Sequence, residues 1–177
     1  MKYLRLFFLM IFLSSCNNEI KKTTSEFKTI SIKSGLKNQH IDSARFRTLV
    51  EGNIKRYEYK TFENDSTFHQ FIEKEIENDS VLIVAGTNCK LISSHNYQFN
   101  SEEIKIQAYL YNISNLSDDE SIFYFNNKYG VIAEYSLAWP DTKVLYNQEE
   151  LKLLQDSIHK DFNRFLLIDK MVKMSKY

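Results

Sequence analysis

Proline occurs once and glycine four times in 177 residues, against ordinary usage of about 5% and 7%. So few of both exclude a collagen-like fibre, a Pro-rich linker and a fold built on many Gly-dependent turns. Gly35, Gly52, Gly86 and Gly130 are isolated from one another. No Gly-rich phosphate loop or dinucleotide fingerprint exists, which weighs against ATP, GTP or NAD binding. Net charge is also missing: 23 basic residues balance 23 acidic ones. That argues against a basic surface built to hold nucleic acid. Two cysteines are too few for a disulfide framework. The four histidines, His40, His69, His95 and His159, include no pair four residues apart, so no helical His pair or H-E-x-x-H motif is present. The acidic run Asp118-Asp119-Glu120 lacks the Gly and terminal Glu of an EF-hand. Neither a metal nor a cofactor is expected.

Large aromatics are abundant, with 13 Phe and 11 Tyr. Such a chain can bury a core and is not disordered. Its length fits one domain.

The N-terminus reads MKYLRLFFLMIFLSSC. Lys2 and Arg5 precede an unbroken apolar run from Leu6 to Leu13, and two small serines lead to Cys16. This order is a secretory signal pattern, too short for a permanent span of a bilayer core about 30 Å thick. Leu13-Ser14-Ser15-Cys16 resembles the lipobox of bacterial lipoproteins. The resemblance covers the first 16 residues. It implies a type II signal peptide over 1–15, cut before Cys16, whose thiol carries diacylglycerol and whose amine is acylated, typically with palmitate. Two or more chains anchor stably where one does not. The implied address is the cell envelope, with a covalent membrane anchor at Cys16. Asn17 in place of Asp after the cysteine resembles outer-membrane rather than inner-membrane sorting. The Lys, Asn, Ile and Phe bias is similar to that of AT-rich Bacteroidetes-like genomes. Cleavage takes 15 of 177 residues and leaves 162, with Lys2 and Arg5 gone and 21 basic against 23 acidic side chains.

Residues 16–26 read as the lipidated cysteine and a polar tether, and 27–177 as a single α+β domain. Phe27–Ile32 reads as a first strand. Ile41, Ala44, Arg45, Thr48 and Leu49 fall near one helical face, so 38–51 is predicted helical with Gly52 as its C-cap. Residues 54–62 alternate as a strand. Phe68, Phe71, Ile72 and Ile76 predict a second helix capped by Asp65 or Ser66, with His69 and Glu73 as an i,i+4 pair. Val81–Ala85 is continuous and apolar, a buried strand. Strands follow over 90–99, 104–111, 121–125 and 131–139, with a turn at Asn126–Gly130. Asn147 and Glu150 resemble a capping box at the start of a long last helix. Its apolar face is Leu151, Leu154, Ile158, Phe162 and Phe165, with Phe162 central. The expected fold is a mostly antiparallel sheet packed on one face by helices, including the long C-terminal one.

Two sets of side chains are candidates for function. Cys89 follows the buried strand and His95 lies six residues on; together they would make a thiol nucleophile with its base. No catalytic signature surrounds them, so both are weak catalytic candidates. Tyr57 and Tyr59 share one strand face, and Tyr109 and Tyr111 share another. Such stripes are either core under a helix layer or an exposed binding face. Three readings follow. The first is a lipid-anchored, non-enzymatic envelope domain that binds a protein or peptide or serves a structural role. The second is a small-ligand or glycan-binding lipoprotein using the aromatic face. The third is a thiol-dependent enzyme using Cys89.

Overall fold

The computed structural model describes residues 22–34, 40–63, 66–112, 120–139 and 143–166, with backbone alone at 40–42, 62–63, 66–68, 148 and 162–166. Cys16, the signal-like segment, Asp118-Asp119 and the side chains of Phe162 and Phe165 lie outside the described set.

Among the described residues eleven strands precede one helix. They are β1 (Lys22–Thr24), β2 (Lys28–Ser34), β3 (His40–Glu51), β4 (Ile54–Glu63), β5 (Ser66–Glu75), β6 (Val81–Val84), β7 (Thr87–Phe99), β8 (Glu102–Tyr111), β9 (Ser121–Asn126), β10 (Gly130–Ser136) and β11 (Lys143–Tyr146). The helix, here α1, is Gln148–Leu166. Each strand from β2 to β11 pairs antiparallel with the next. Strand β11 then pairs antiparallel with β2, placing Val144 opposite Ser34. The sheet is therefore a ten-stranded up-and-down barrel rather than an open sheet with helices on one face. Closure removes the edge strands that an open sheet of this size would expose. The short β1 adds to β3 beside its last residues, Leu49 to Glu51.

Where helices are predicted over 38–51 and 65–76, the described residues instead form β3 (His40–Glu51) and β5 (Ser66–Glu75). In β3 the decisive period is two: Ala44 and Phe46 are buried while Arg45 is exposed and Arg47 half-buried. In β5 the inward positions are Gln70, Ile72 and Lys74, so polar residues interrupt the apolar stripe. Phe71 and Ile76, which suggested a helical face, are 40% and 47% exposed. The predicted pairing of His69 with Glu73 is absent as well: His69 faces Glu58 at 3.4 Å and Arg56 holds Glu73 at 2.5 Å.

Alternation divides the apolar residues into two cores. One is the lumen, built from Ile30, Ile32, Phe46, Tyr57, Tyr59, Ile72, Leu82, Val84, Tyr109, Phe123, Phe125 and Tyr146 among others. The other lies outside the wall, where Tyr97, Ile104, Ile106, Ile122, Tyr124, Tyr135 and Leu145 meet Leu151, Leu154 and Ile158 of α1. So α1 covers one side of the barrel, as its 3.6 period requires. Asn147 starts it: its carbonyl accepts the Leu151 N–H at 3.0 Å, and its amide donates to Glu150 Oε2 at 2.7 Å. Buried Gln155 is the polar exception on this face. Its Nε2 donates to the carbonyls of Ile132 (3.0 Å) and Tyr146 (2.8 Å). The first carbonyl belongs to the bulge between Val131 and Ala133, where the ladder leaves a group unpaired.

Elsewhere the outer wall carries charge, including Arg45, Arg47, Arg56, Glu58, Lys60 and Glu73. An apolar lumen inside a charged wall is the reverse of a lipid-spanning barrel, whose outer band is apolar. Among the described residues no helix is long and apolar enough to cross a membrane.

Candidate functional site in the barrel lumen

The strand connections define two ends. At one end lie the turns after β3, β5, β7 and β9; at the other, the connections after β2, β4, β6, β8 and β10. The first end is shut. Tyr57 donates its hydroxyl proton to the Asn127 carbonyl at 2.9 Å, and Lys55 Nζ donates to the same carbonyl at 2.6 Å. Tyr109 donates to the Asp79 carbonyl at 2.9 Å. Lys74, only 2% exposed, donates to the Tyr109 hydroxyl and to the Asn78 carbonyl, each at 2.9 Å, and pairs with Asp79 at 3.2 Å. Lys105 reaches the other Asp79 oxygen at 3.0 Å. The buried ammonium is thus fully partnered, as burial demands. The hydrogen bond from Lys105 above all holds the Asp79 carboxyl down at about 2, while burial lowers Lys74.

Tilted and edge-on rings fill the lumen next to this plug. Phe46 lies 4.9 Å from Tyr59, and Phe125 lies 5.0 Å from Tyr57 in an edge-on contact. Tyr59 meets Tyr146 edge-on at 5.2 Å. Such pairs are worth about 0.5–1.5 kcal/mol each beyond area burial. The Tyr59 hydroxyl accepts the Val131 N–H at 2.9 Å. Burial pushes the phenols of Tyr57, Tyr59 and Tyr109 upward, so they stay neutral donors and acceptors.

Among the described residues the second end is open. Above Tyr59 and Tyr146 lies a cleft of about 400 Å³. Ile32 and Val144 supply its apolar walls; Ser34, Thr61, His69 and Gln70 supply polar groups. The Tyr146 hydroxyl donates to Gln70 Oε1 at 3.3 Å. Leu91, Tyr111 and Val144 are partly buried against the lumen core. Exposed Trp139 stands in the connection between β10 and β11, at this same end. Ten strands leave a wider lumen than the eight that side chains just fill.

The candidate tyrosines therefore resolve differently from one another. Tyr57, Tyr59 and Tyr109 are 0%, 2% and 0% exposed. They do not form an exposed aromatic face, nor are they core beneath a helix layer. They point into the barrel, because closure turns one entire sheet face inward. Tyr111 alone is half-buried. Sequence reasoning missed Tyr146, Gln70, Thr61 and Ser34; only the β11–β2 and β4–β5 pairings bring them together.

Cys89 and His95 are not brought together. Cys89 lies in the lumen, 0% exposed, with Sγ donating to the Thr87 carbonyl at 3.6 Å. His95 is on the exposed outer face, its ring 4.9 Å from that of Tyr97. The bulge between Leu91 and Ser93 separates the two. Burial first, and the Glu134 carboxylate as well, push the Cys89 thiol up to about 12. A reactive thiolate needs the opposite environment. Among the described residues no group of three or more His, Cys, Asp and Glu is placed to hold a metal ion.

Comparison with protein-family models, with curated proteins and with solved structures finds no match for this chain, so the reading of its function rests on the lumen itself.

Proposed function

We propose that the protein binds a small, largely apolar molecule in the open end of its barrel, as a lipid-anchored component of a bacterial envelope. The observation that carries this reading is the cleft of about 400 Å³ between a plugged end and an open one, floored by Tyr59 and Tyr146. Its size falls in the range of about 300–1,000 Å³ usual for ligand pockets, and apolar walls with a few convergent polar groups are their usual lining. Ser34, Thr61, Gln70 and the Tyr146 hydroxyl would orient the ligand. A protein- or peptide-binding role is the weaker reading, because the rings that would serve such a surface are inside. A Cys89 enzyme lacks its imidazole and its thiolate.

The tether gives the pocket a direction. Strand β1 pairs with β3 next to the β3–β4 turn, at the plugged end. A lipid on Cys16 would be six residues before Lys22, within about 20 Å of it even fully extended. The plug would then face the membrane and the open end would face away from it. Labelled-lipid incorporation lost in Cys16→Ala tests the anchor.

The pocket is tested with N-phenyl-1-naphthylamine, a neutral apolar dye, and the full-length protein. Saturable one-to-one enhancement of its fluorescence is expected. Thr61→Trp, which fills the cleft, should weaken it by about tenfold or more, the 1.4 kcal/mol step expected for lost apolar contact. Absence of saturable binding to the folded wild-type protein overturns the reading.

A further inference from the structure

Glu134 is the one acidic residue described on β10, and it faces the lumen. Its neighbours Ala133 and Tyr135 belong to the outer core under α1, so alternation turns Glu134 inward. Cross-strand pairing confirms the direction. A continuous row runs Leu91, Tyr109, Phe123, Glu134, Val144, Ser34 across β7, β8, β9, β10, β11 and β2. The carboxylate thus interrupts a row of apolar and aromatic side chains. Val144, directly opposite, and Ser34, one strand farther, both line the cleft. Directly opposed Cβ atoms lie about 5 Å apart, so Glu134 stands beside the Val144 wall, just outside the residues that line the cleft.

The carboxylate is half-buried and its hydrogen-bond partner is the Ser121 side chain. Among the described residues no Lys, Arg or His forms an ion pair with it. Lys74 and Lys105 are both committed to Asp79 at the plugged end, and Lys55 there donates to the Asn127 carbonyl. A desolvated carboxylate with only a hydroxyl for company is costly to the fold. Burial accordingly raises its proton affinity, and Cys89 and Tyr146 both sense its charge across the lumen. A cation arriving with the ligand would offset that cost.

We infer that the ligand is a small amphipathic amine, its ammonium on Glu134 and its apolar body against Tyr59, Tyr146 and Val144. This rests on the reading of the cleft as a binding pocket and names the ligand class it selects. Specificity of this kind comes from a buried polar group that a neutral analogue leaves unpaired.

Tryptamine and its neutral alcohol counterpart tryptophol share one aromatic body and separate charge from shape. Calorimetric titration of the full-length protein is expected to show tryptamine binding about tenfold or more tighter than tryptophol, as a charge-assisted hydrogen bond implies. Glu134→Gln should bring tryptamine down to the tryptophol level and leave tryptophol and the naphthylamine dye within about twofold of wild type. It should also melt no lower than wild type, since a carboxylate that is costly to bury has been removed. A purely structural Glu134 would instead lower the melting temperature and leave the preference intact, which overturns the inference. Equal affinity for the two indoles, or binding of the dye but of neither indole, overturns it too while sparing the pocket. Failure of all three probes removes the pocket reading with it.

Discussion

Tyr59 and Gly130 show how tightly the plugged side of the lumen is specified. Gly130 has φ +76°, and a Cβ there would collide with the Tyr59 hydroxyl and stand 3.0 Å from Tyr57 Cδ1 and 3.3 Å from Phe46 Cε2. The position combines left-handed backbone with no room for a methyl group. Gly130→Ala should therefore cost about 2–5 kcal/mol, joining roughly 1–2 for the backbone to 1–3 for overpacking. Denaturant unfolding would measure it, and a loss under 1 kcal/mol would contradict the packing described. Asp79 carries a pH signature. Its folded carboxyl is held near 2, below the ordinary 3.8. A depressed acid contributes stability that is complete above its unfolded value and fades as pH falls. Asp79→Asn should thus flatten stability between about pH 4 and pH 2 and leave that curve's slope near neutrality unchanged. An unaltered acid limb would show that the ties to Lys105 and Lys74 do not hold in solution.

At the scale of elements, two features let short strands make a closed wall. Tight turns are one: Ala85 and Gly86 both have positive φ (48° and 81°), as do Asn100 and Ser101 (49° and 65°). Two consecutive positive values are the twist-matched hairpin geometry. The other is α1. Strand β11 has only three register pairs with β10 and three with β2, so the seam that closes the barrel is short. Gln155 bridges it from outside by taking one carbonyl from β10 and one from the end of β11. Gln155→Ala would leave two backbone carbonyls unpaired and should cost about 2–4 kcal/mol. Hydrogen exchange should then quicken first in β11 and β2, which pair with each other. Uniform quickening across all ten strands would mean that α1 does not guard this seam.

The whole molecule has a polarity that no single element carries. One end is plugged by tyrosine hydroxyls, Lys74 and the turns folded over them; the other, among the described residues, opens on a cleft. The chain enters beside the plugged end. Trp139, the single tryptophan, is 61% exposed at the open end. If the anchor at Cys16 holds the plug toward the bilayer, brominated lipids should leave Trp139 emission unquenched in vesicle-bound protein. Strong quenching would reverse the proposed orientation. The same residue offers an intrinsic report on cleft occupancy.

Local pattern was legible wherever residues stood in simple alternation or simple helical spacing. Seven strands, the Asn126–Gly130 turn and the start of α1 at Asn147 follow from the order of apolar and polar residues alone. The signal-like segment and Cys16 are features of order too, and so is the lack of phosphate-loop and metal motifs. Alternation failed in β5 because Gln70 and Lys74 face inward for reasons that lie on other strands: Tyr146 meets one, Tyr109 and Asp79 the other. Polar residues with remote partners break the period that reveals a strand, and apolar Phe71 on the outer wall then mimics a helix. Closure itself rests on three pairs between β2 and β11, more than a hundred residues apart in the chain, and no local spacing records such a pairing. Sequence alone determined which residues are apolar and which short segments extend. Tertiary structure decided that the tyrosine face is a lumen, that Cys89 and His95 lie on opposite sides of a wall, and that Glu134 is on the lumen side, because inside and outside exist only once the sheet has closed.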